Sequence, residues 1–442
     1  MGNNQRISKF AFAIFIALFF TLPLLFCNSK PLSSSPHVVI FGASAIDFIG
    51  HSPTPYTPGG CSSGRVNVRM GGVGRNLAEM MRNLSEIILP DELKLEVDLV
   101  SPLSHDSTGE LIIADSKRKG IDMSNTVFLD DSSSPSCLYL MTMDGEVSQS
   151  VCDFRIVRKE LQTSHYYHNS SNYTKPQSSP FVPGVLSPKF DRLFKTASLI
   201  VIEGNNPSYL THFFMSAANA YKKPLLFAPT TYEGFEDTLR TSLKTDIGSA
   251  PTALHLNEHE LYTMVHDEIP TIPPTSIVHN TTSIHESLNV LFSRGTEIAV
   301  VTSGNIGMCI AARHSNSSSS QSDPNNIIFE CLPSIPVTVH DVIGAGDSAT
   351  SAFIVKLVET GLIQTKSSRK VELANSQTNS DDDSSTQTRL SPSFYALTRE
   401  EKRTLLLSIL ETELAVAASK VEGHSLTLQH IEEMRRRQSK NS

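Results

Sequence analysis

Asp341-Val342-Ile343-Gly344-Ala345-Gly346-Asp347, continued by Ser348-Ala349-Thr350-Ser351-Ala352-Phe353-Ile354-Val355-Lys356-Leu357, is the stretch on which the reading of this 442-residue chain turns. Two glycines flank one alanine, so the backbone can turn tightly and be approached closely. Small and then apolar residues follow with no breaker before Gly361, which predicts a helix starting near Gly346. The unpaired N–H groups and dipole of a helix start make an anion site. Asp347 stands in that same turn. A carboxylate beside an anion pocket has one useful task there: taking a proton from a hydroxyl while the Gly344, Ala345 and Gly346 amides hold a phosphoryl group. A glycine-rich loop with an acid near a helix start, where acids are common anyway, is the plain alternative.

Working outward, a second glycine element lies 270 residues upstream: Gly71-Gly72-Val73-Gly74-Arg75-Asn76-Leu77-Ala78. Before it, His37–Phe41 reads as a buried strand ending at Gly42-Ala43-Ser44-Ala45-Ile46-Asp47. In open α/β sheets ligands bind beyond the carboxyl ends of strands. Asp47 is therefore placed to accept hydrogen bonds from neighbouring hydroxyls, or simply to satisfy loop amides. The pattern is neither a dinucleotide fingerprint, since Leu77 stands where a third glycine belongs, nor a P-loop.

These two elements, in this order, resemble the D-T-x-G-A-G-D and G-G-x-G-x-N signatures of the ribokinase-like (PfkB) sugar and nucleoside kinases. The wording of Phe41–Asp47 and Gly71–Ala78 is closest to that of pseudouridine kinases. The resemblance implies a three-layer α/β/α fold with a central, mostly parallel sheet and a small β-sheet lid. It implies ATP and Mg²⁺, and a monovalent cation such as K⁺ near Val421–Ser425. Asp347 would be the base, and Asp47, Gly71, Gly72 and Asn76 would hold a small sugar or nucleoside. Pseudouridine, phosphorylated at its 5′-hydroxyl, is the expected acceptor, with ribose, fructose or adenosine as alternatives. The lid becomes a candidate surface for pairing two copies. Val342 and Ile343 replace the usual threonines, and Ala228 stands where pseudouridine kinases tend to carry an acid.

Further segments fit that frame. Arg65–Met70 and the Ser136–Met143/Glu146–Asp153 hairpin, turned by Asp144-Gly145, are the expected lid strands, roughly 64–71 and 136–153. Asp153 ends the hairpin and is a candidate for reaching the substrate base, or a solvated strand end. Leu199–Glu203, the helix Pro207–Tyr221 and Pro224–Ala228 form a βαβ repeat, hence a parallel sheet. Asn257-Glu258-His259-Glu260 matches the family's N-x-x-E element. Asn257 and Glu260, with Asp341, are the candidate Mg²⁺ residues, and a helix capping box explains the first two equally well. Thr302-Ser303-Gly304-Asn305-Ile306-Gly307 is similar to the family's nucleotide loop, making Thr302, Gly304, Gly307 and Gly346 the candidate ATP contacts. Helices are also expected at Asn76–Leu84, Gly109–Gly120 and Leu405–Lys420. The basic run Arg435–Arg437 is expected to be solvated.

The kinase domain is thus expected over 37–436, with inserted loops at 162–189, 313–326 and 367–392, after an apolar leader or anchor and linker, 1–36. Arg6 and Lys9 precede the 17-residue apolar run Phe10–Phe26. No clear cleavage site follows, which favours an uncleaved anchor over a leader. A misassigned start is the third reading, and the need for ATP favours a cytoplasmic catalytic domain. The net charge of −8 argues against a nucleic-acid partner. The six cysteines form no C-x-x-C, and free buried thiols are expected. The reading from a different class is a membrane-anchored binder that keeps the scaffold without the chemistry.

Overall fold

Apolar five-residue runs such as His37–Phe41 and Leu199–Glu203 are buried on both faces, the signature of a parallel sheet covered by helices on each side. The computed structural model describes residues 35–56, 59–142, 147–167, 186–230, 250–266, 280–315, 326–340, 342–363, 390–424 and 426–441. The expected anchor, Asp341, the Asp144-Gly145 turn, Ser425 and most of each expected insertion lie outside them. Among the described residues no helix is long and apolar enough to cross a membrane.

In chain order the strands are β1 (His37–Phe41), β2 (Ala45–His51), β3 (Arg65–Gly71), β4 (Glu96–Val100), β5 (Pro102–Leu103), β6 (Val127–Phe128), β7 (Ser136–Met141) and β8 (Val147–Asp153). They continue with β9 (Leu199–Glu203), β10 (Leu225–Ala228), β11 (Ala253–Asn257), β12 (Ile298–Thr302), β13 (Gly307–Arg313) and β14 (Ile327–Pro333). The helices are α1 (Val73–Ile88), α2 (Ser107–Arg118), α3 (Pro188–Thr196), α4 (Ser208–Ala220) and α5 (Glu258–Val265). After them come α6 (Thr281–Ser293), α7 (Ala345–Glu359), α8 (Pro392–Ala396), α9 (Arg399–Val421) and α10 (Leu428–Asn441).

The large sheet runs β14-β13-β12-β11-β10-β9-β1-β4, parallel from β12 to β4, with β13 and β14 antiparallel at one edge. Val38 and Ile40 of β1 pack with α1, α7 and α9, while Val39 and Phe41 pack with α3, α4 and α6. That alternation puts a core on each face of the sheet. The chain leaves β1 toward β4 on one side and later returns as β9 on the other. The strand order therefore reverses beside β1, and a crevice opens at its carboxyl end. A second sheet, β3-β2-β7-β8, forms the lid.

Several boundaries move for identifiable reasons. Helix α1 begins at Val73, three residues before the expected start, because Gly72 takes φ +89° and turns the chain there. Helix α2 starts at Ser107, capped by Asp106, whose side chain accepts from the Gly109 N–H. Helix α9 starts at Arg399 because Thr398 and Glu401 form a capping box. The Arg435–Arg437 run lies on α10 and is solvated as expected, with the Arg436 side chain 77% exposed, while Arg437 pairs with Glu422 and Glu433. The thiol expectation is also corrected. Cys137–Cys152 and Cys309–Cys331 are disulfides, each joining residues directly opposite on paired strands. Strand pairing brings them together, and spacings of 15 and 22 residues carry no local motif for it. Cys61 is a free, exposed thiol.

Candidate active site

The crevice beside β1 collects the two glycine elements. Asp47 on β2 is buried, and its carboxylate lies close against Gly71: a Cβ at Gly71 would fall 2.1 Å from Asp47 Oδ2. A Cβ at Gly72 would fall 2.6 Å from the Ala43 carbonyl oxygen. The close approach that both glycines permit is thus already used within the protein, by Asp47 and by the β1–β2 connection. Asp47 faces Arg69 of β3 across the lid, with the Arg69 Nε donating to Oδ2 at 3.4 Å. Burial pushes the Asp47 carboxyl above its ordinary range, and Arg69 pulls the other way.

Gly344 caps α7 in the left-handed conformation, φ +81°. The Asp347 side chain sits one turn in, and the Asn76 Nδ2 of α1 donates to its Oδ2 at 2.8 Å across 271 residues of chain. The site of Asp347 crowds water away, and this raises its carboxyl to about 6; the Asn76 hydrogen bond and the Arg69 charge oppose the rise, whereas Asp47 adds to it. A carboxyl in that range is ionised at neutral pH and basic enough to take a proton from an alcohol. One turn on, Thr350 Oγ1 bonds the Gly346 carbonyl at 3.0 Å and His255 Nδ1 at 2.9 Å. His255 Nε2 in turn meets Glu413 of α9 at 3.0 Å. The turn that carries Asp347 is therefore braced from both β11 and α9. Ala345 departs from expectation: its N–H closes the preceding turn on the Val342 carbonyl at 3.2 Å. Around Gly346 there is open space.

Glu203, unremarked in the sequence, closes β9 inside the same crevice. It is fully buried and accepts from the Ala43 N–H at 2.7 Å, the Asn205 N–H at 2.9 Å and the Asn205 side chain at 2.6 Å. Burial lifts its carboxyl to about 7 against those three bonds. The only sequence signal is an acid ending an otherwise apolar strand.

Farther along the large sheet, Thr302 ends β12 and Gly304 turns at φ +56° into open space. Gly307 differs: a Cβ there would meet the Leu332 carbonyl oxygen at 2.1 Å, so its glycine serves the β13–β14 pairing. Asn257 and Glu260 form the reciprocal capping box of α5, at 2.8 Å each way. Among the described residues no three His, Cys, Asp or Glu side chains gather in a cluster able to hold a metal. Hard oxygens at a strand end still fit a second-sphere role, holding waters of an ion that arrives with a nucleotide. The Val421 carbonyl accepts from the His340 N–H at 2.9 Å, tying the end of α9 to the segment before Gly344.

Asp153 is not brought to this group. In the lid register it shares a row with Ser136 and Ile46, one residue out of step with the row of Cys152, Cys137 and Asp47. Successive strand residues alternate faces, so it lies on the opposite side of the sheet from Asp47. Its carboxylate pairs instead with Arg155 at 2.7 Å.

A model of the family described as pfkB family carbohydrate kinase matches residues 35–376. An uncharacterized sugar kinase of Escherichia coli strain K12, YeiI, is 23% identical over 128 residues, 29% of this chain and 33% of that protein. The chain thus matches about a third of the length of that curated relative. A ribokinase of Arabidopsis thaliana, solved with ribose and ATP, is similar over 91% of this chain and 99% of its own, at 14% identity and a TM-score of 0.57. A ribokinase of Giardia lamblia is similar over 92% of this chain and 100% of its own, at 16% identity and a TM-score of 0.57. At such identities the likeness speaks for the fold, which is ribokinase-like.

Proposed function

This chain belongs to the pfkB family of carbohydrate kinases, and from that footing we propose that it transfers the terminal phosphoryl group of ATP to a hydroxyl of a small sugar or nucleoside. The observation that carries the reading is the 2.8 Å bond between Asn76 and Asp347. It unites the two glycine elements around one carboxylate and supports a single site with an acceptor side and a phosphate side. Asp347 removes the hydroxyl proton. The oxygen attacks the terminal phosphorus, the bond to the bridging oxygen breaks, and ADP leaves. Asp47 accepts hydrogen bonds from acceptor hydroxyls, and Asn76 orients both Asp347 and the acceptor. Gly346 and the first turn of α7, with Thr302 and Gly304, face the nucleotide phosphates. Mg²⁺ supplies charge neutralisation on those phosphates when bound, with Asn257 and Glu260 holding its waters. A monovalent cation such as K⁺ beside Val421–Gly423 is the adjunct on the α9 side, checked by exchanging K⁺ for choline in the assay.

Pseudouridine is the preferred acceptor, supported by the wording of Phe41–Asp47 and Gly71–Ala78. Ribose, the sugar bound by the Arabidopsis ribokinase, is the second choice. The lid favours a pair of copies: Val68, Phe48, Leu138 and Val151 form one exposed apolar row across all four strands. Sedimentation of the full chain tests that pairing. For the activity, ATP consumption by the full chain is measured with pseudouridine, uridine, adenosine, ribose and fructose. Turnover with pseudouridine above the others is expected. ATP binding without consumption, whatever the acceptor, would overturn the reading.

A further inference from the structure

Arg69 is a residue of this crevice that the reaction, as written above, leaves without a task. It stands on β3, in register with Asp47 of β2, and its side chain is 32% exposed where that of Asp47 is 5% exposed. Its guanidinium bonds Asp47 and also carries charge toward Asp347. Asp47 is held tightly by geometry, pressed against the Gly71 backbone and shut off from water. A buried carboxylate without a counter-charge gives up its charge or its position.

We propose that Arg69 is the positioning residue of the acceptor pocket: carried on the lid, it keeps Asp47 charged and aimed at the acceptor hydroxyls. The proposal rests on the kinase reading and deepens it, because it makes acceptor binding depend on a second lid strand, β3, besides the β2 strand that carries Asp47. It also names the acceptor class this end of the pocket prefers. An ion-paired carboxylate accepts hydrogen bonds and donates none, which suits a neutral polyol with adjacent hydroxyls. The charged and titratable groups facing Asp47 are Arg69 from β3, Arg75 from α1, Asp347 from α7 and Tyr139 from β7. Arg75 is engaged elsewhere, with Glu79 at 2.8 Å and with Asp115. Arg69 is therefore the cation paired to Asp47 itself. Without it the Asp47 carboxyl titrates higher, and the ionised form is reached only at more alkaline pH.

The test is calorimetric binding of the acceptor alone, ribose or pseudouridine, to the full chain between pH 5.5 and pH 9, a span of about 3.5 units, repeated on an Asp347→Asn background so that titration of Asp347, toward which Arg69 also carries charge, drops out. Arg69→Gln should weaken binding about tenfold at the acid end and recover toward the wild type at the alkaline end, one pKa unit corresponding to a tenfold change in ionised fraction. Arg69→Lys should restore most of the acid-side affinity. Asp47→Asn should bind weakly at every pH. Steady-state assays should place the Arg69→Gln loss on the acceptor KM and leave the ATP KM near the wild-type value. A loss of equal size at every pH in both Arg69 variants would assign the side chain to packing and overturn the inference, as would an Arg69→Gln curve that overlays the wild type. A wild-type chain that binds neither acceptor and consumes no ATP would instead remove the kinase reading beneath it.

Discussion

Two helix starts in this molecule carry the same kind of pair, an asparagine with an acid, and they differ in what the pair does. At α5 the Asn257 and Glu260 side chains bond each other's backbone, and both are three residues apart in one turn. Local capping accounts for that arrangement, and the role toward Mg²⁺ proposed above is compatible with it. At α7 the acid, Asp347, receives its hydrogen bond from Asn76, which a separate helix delivers. No capping bond is made by either side chain there, and the helix is capped by a glycine instead. The lesson is that a polar pair with no local structural task, assembled from distant segments in a crevice, is the one to read as chemistry.

Substitutions can break or sharpen that contrast. The largest effect is expected at Asp347: Asp347→Asn should lower turnover by about 10²–10⁴-fold while ATP still binds, as measured by steady-state assay and calorimetry. Next is Asn76→Ala, which removes a charge-assisted bond and one acceptor contact. It should reduce kcat/KM by about tenfold or more, a loss of roughly 1.5–3 kcal/mol, with the melting temperature little changed. Smaller still is Asn257→Ala, expected to cost about 1 kcal/mol of stability in urea titration. Its activity loss should appear as a raised Mg²⁺ requirement. If Asn257→Ala cost as much turnover as Asp347→Asn, the two helix starts would not differ as described.

Much of this was legible beforehand, and the reasons for the remainder are physical. The buried strands β1, β9 and β12 announce themselves as unbroken apolar runs, and Gly344 and Gly72 mark real turns at positive φ. Which partner a glycine serves is a tertiary fact. Gly307, a candidate phosphate contact, also lies close against the Leu332 carbonyl of β14, while Gly71 makes room for Asp47. Glu203 was hidden because an acid at the end of a strand reads the same whether it meets solvent or three buried donors. The face that Asp153 takes was open beforehand because a step of one residue in register decides which side of the lid a side chain joins. The cysteine pairs likewise depend on strand register rather than on spacing.

The most direct test of the central claim is the pH dependence of turnover in the full chain with saturating ATP and acceptor far below its KM, where the rate follows kcat/KM and reports the groups before the acceptor binds. The ionised carboxylate is the active form, so turnover should be complete above neutrality and fall as pH drops through about 6, the range to which its site raises Asp347. Asn76→Ala withdraws a bond that favours the charged form, so it should move that fall to higher pH. A fall that occurs only near the ordinary carboxylate range, or one that Asn76→Ala leaves in place, would contradict the account.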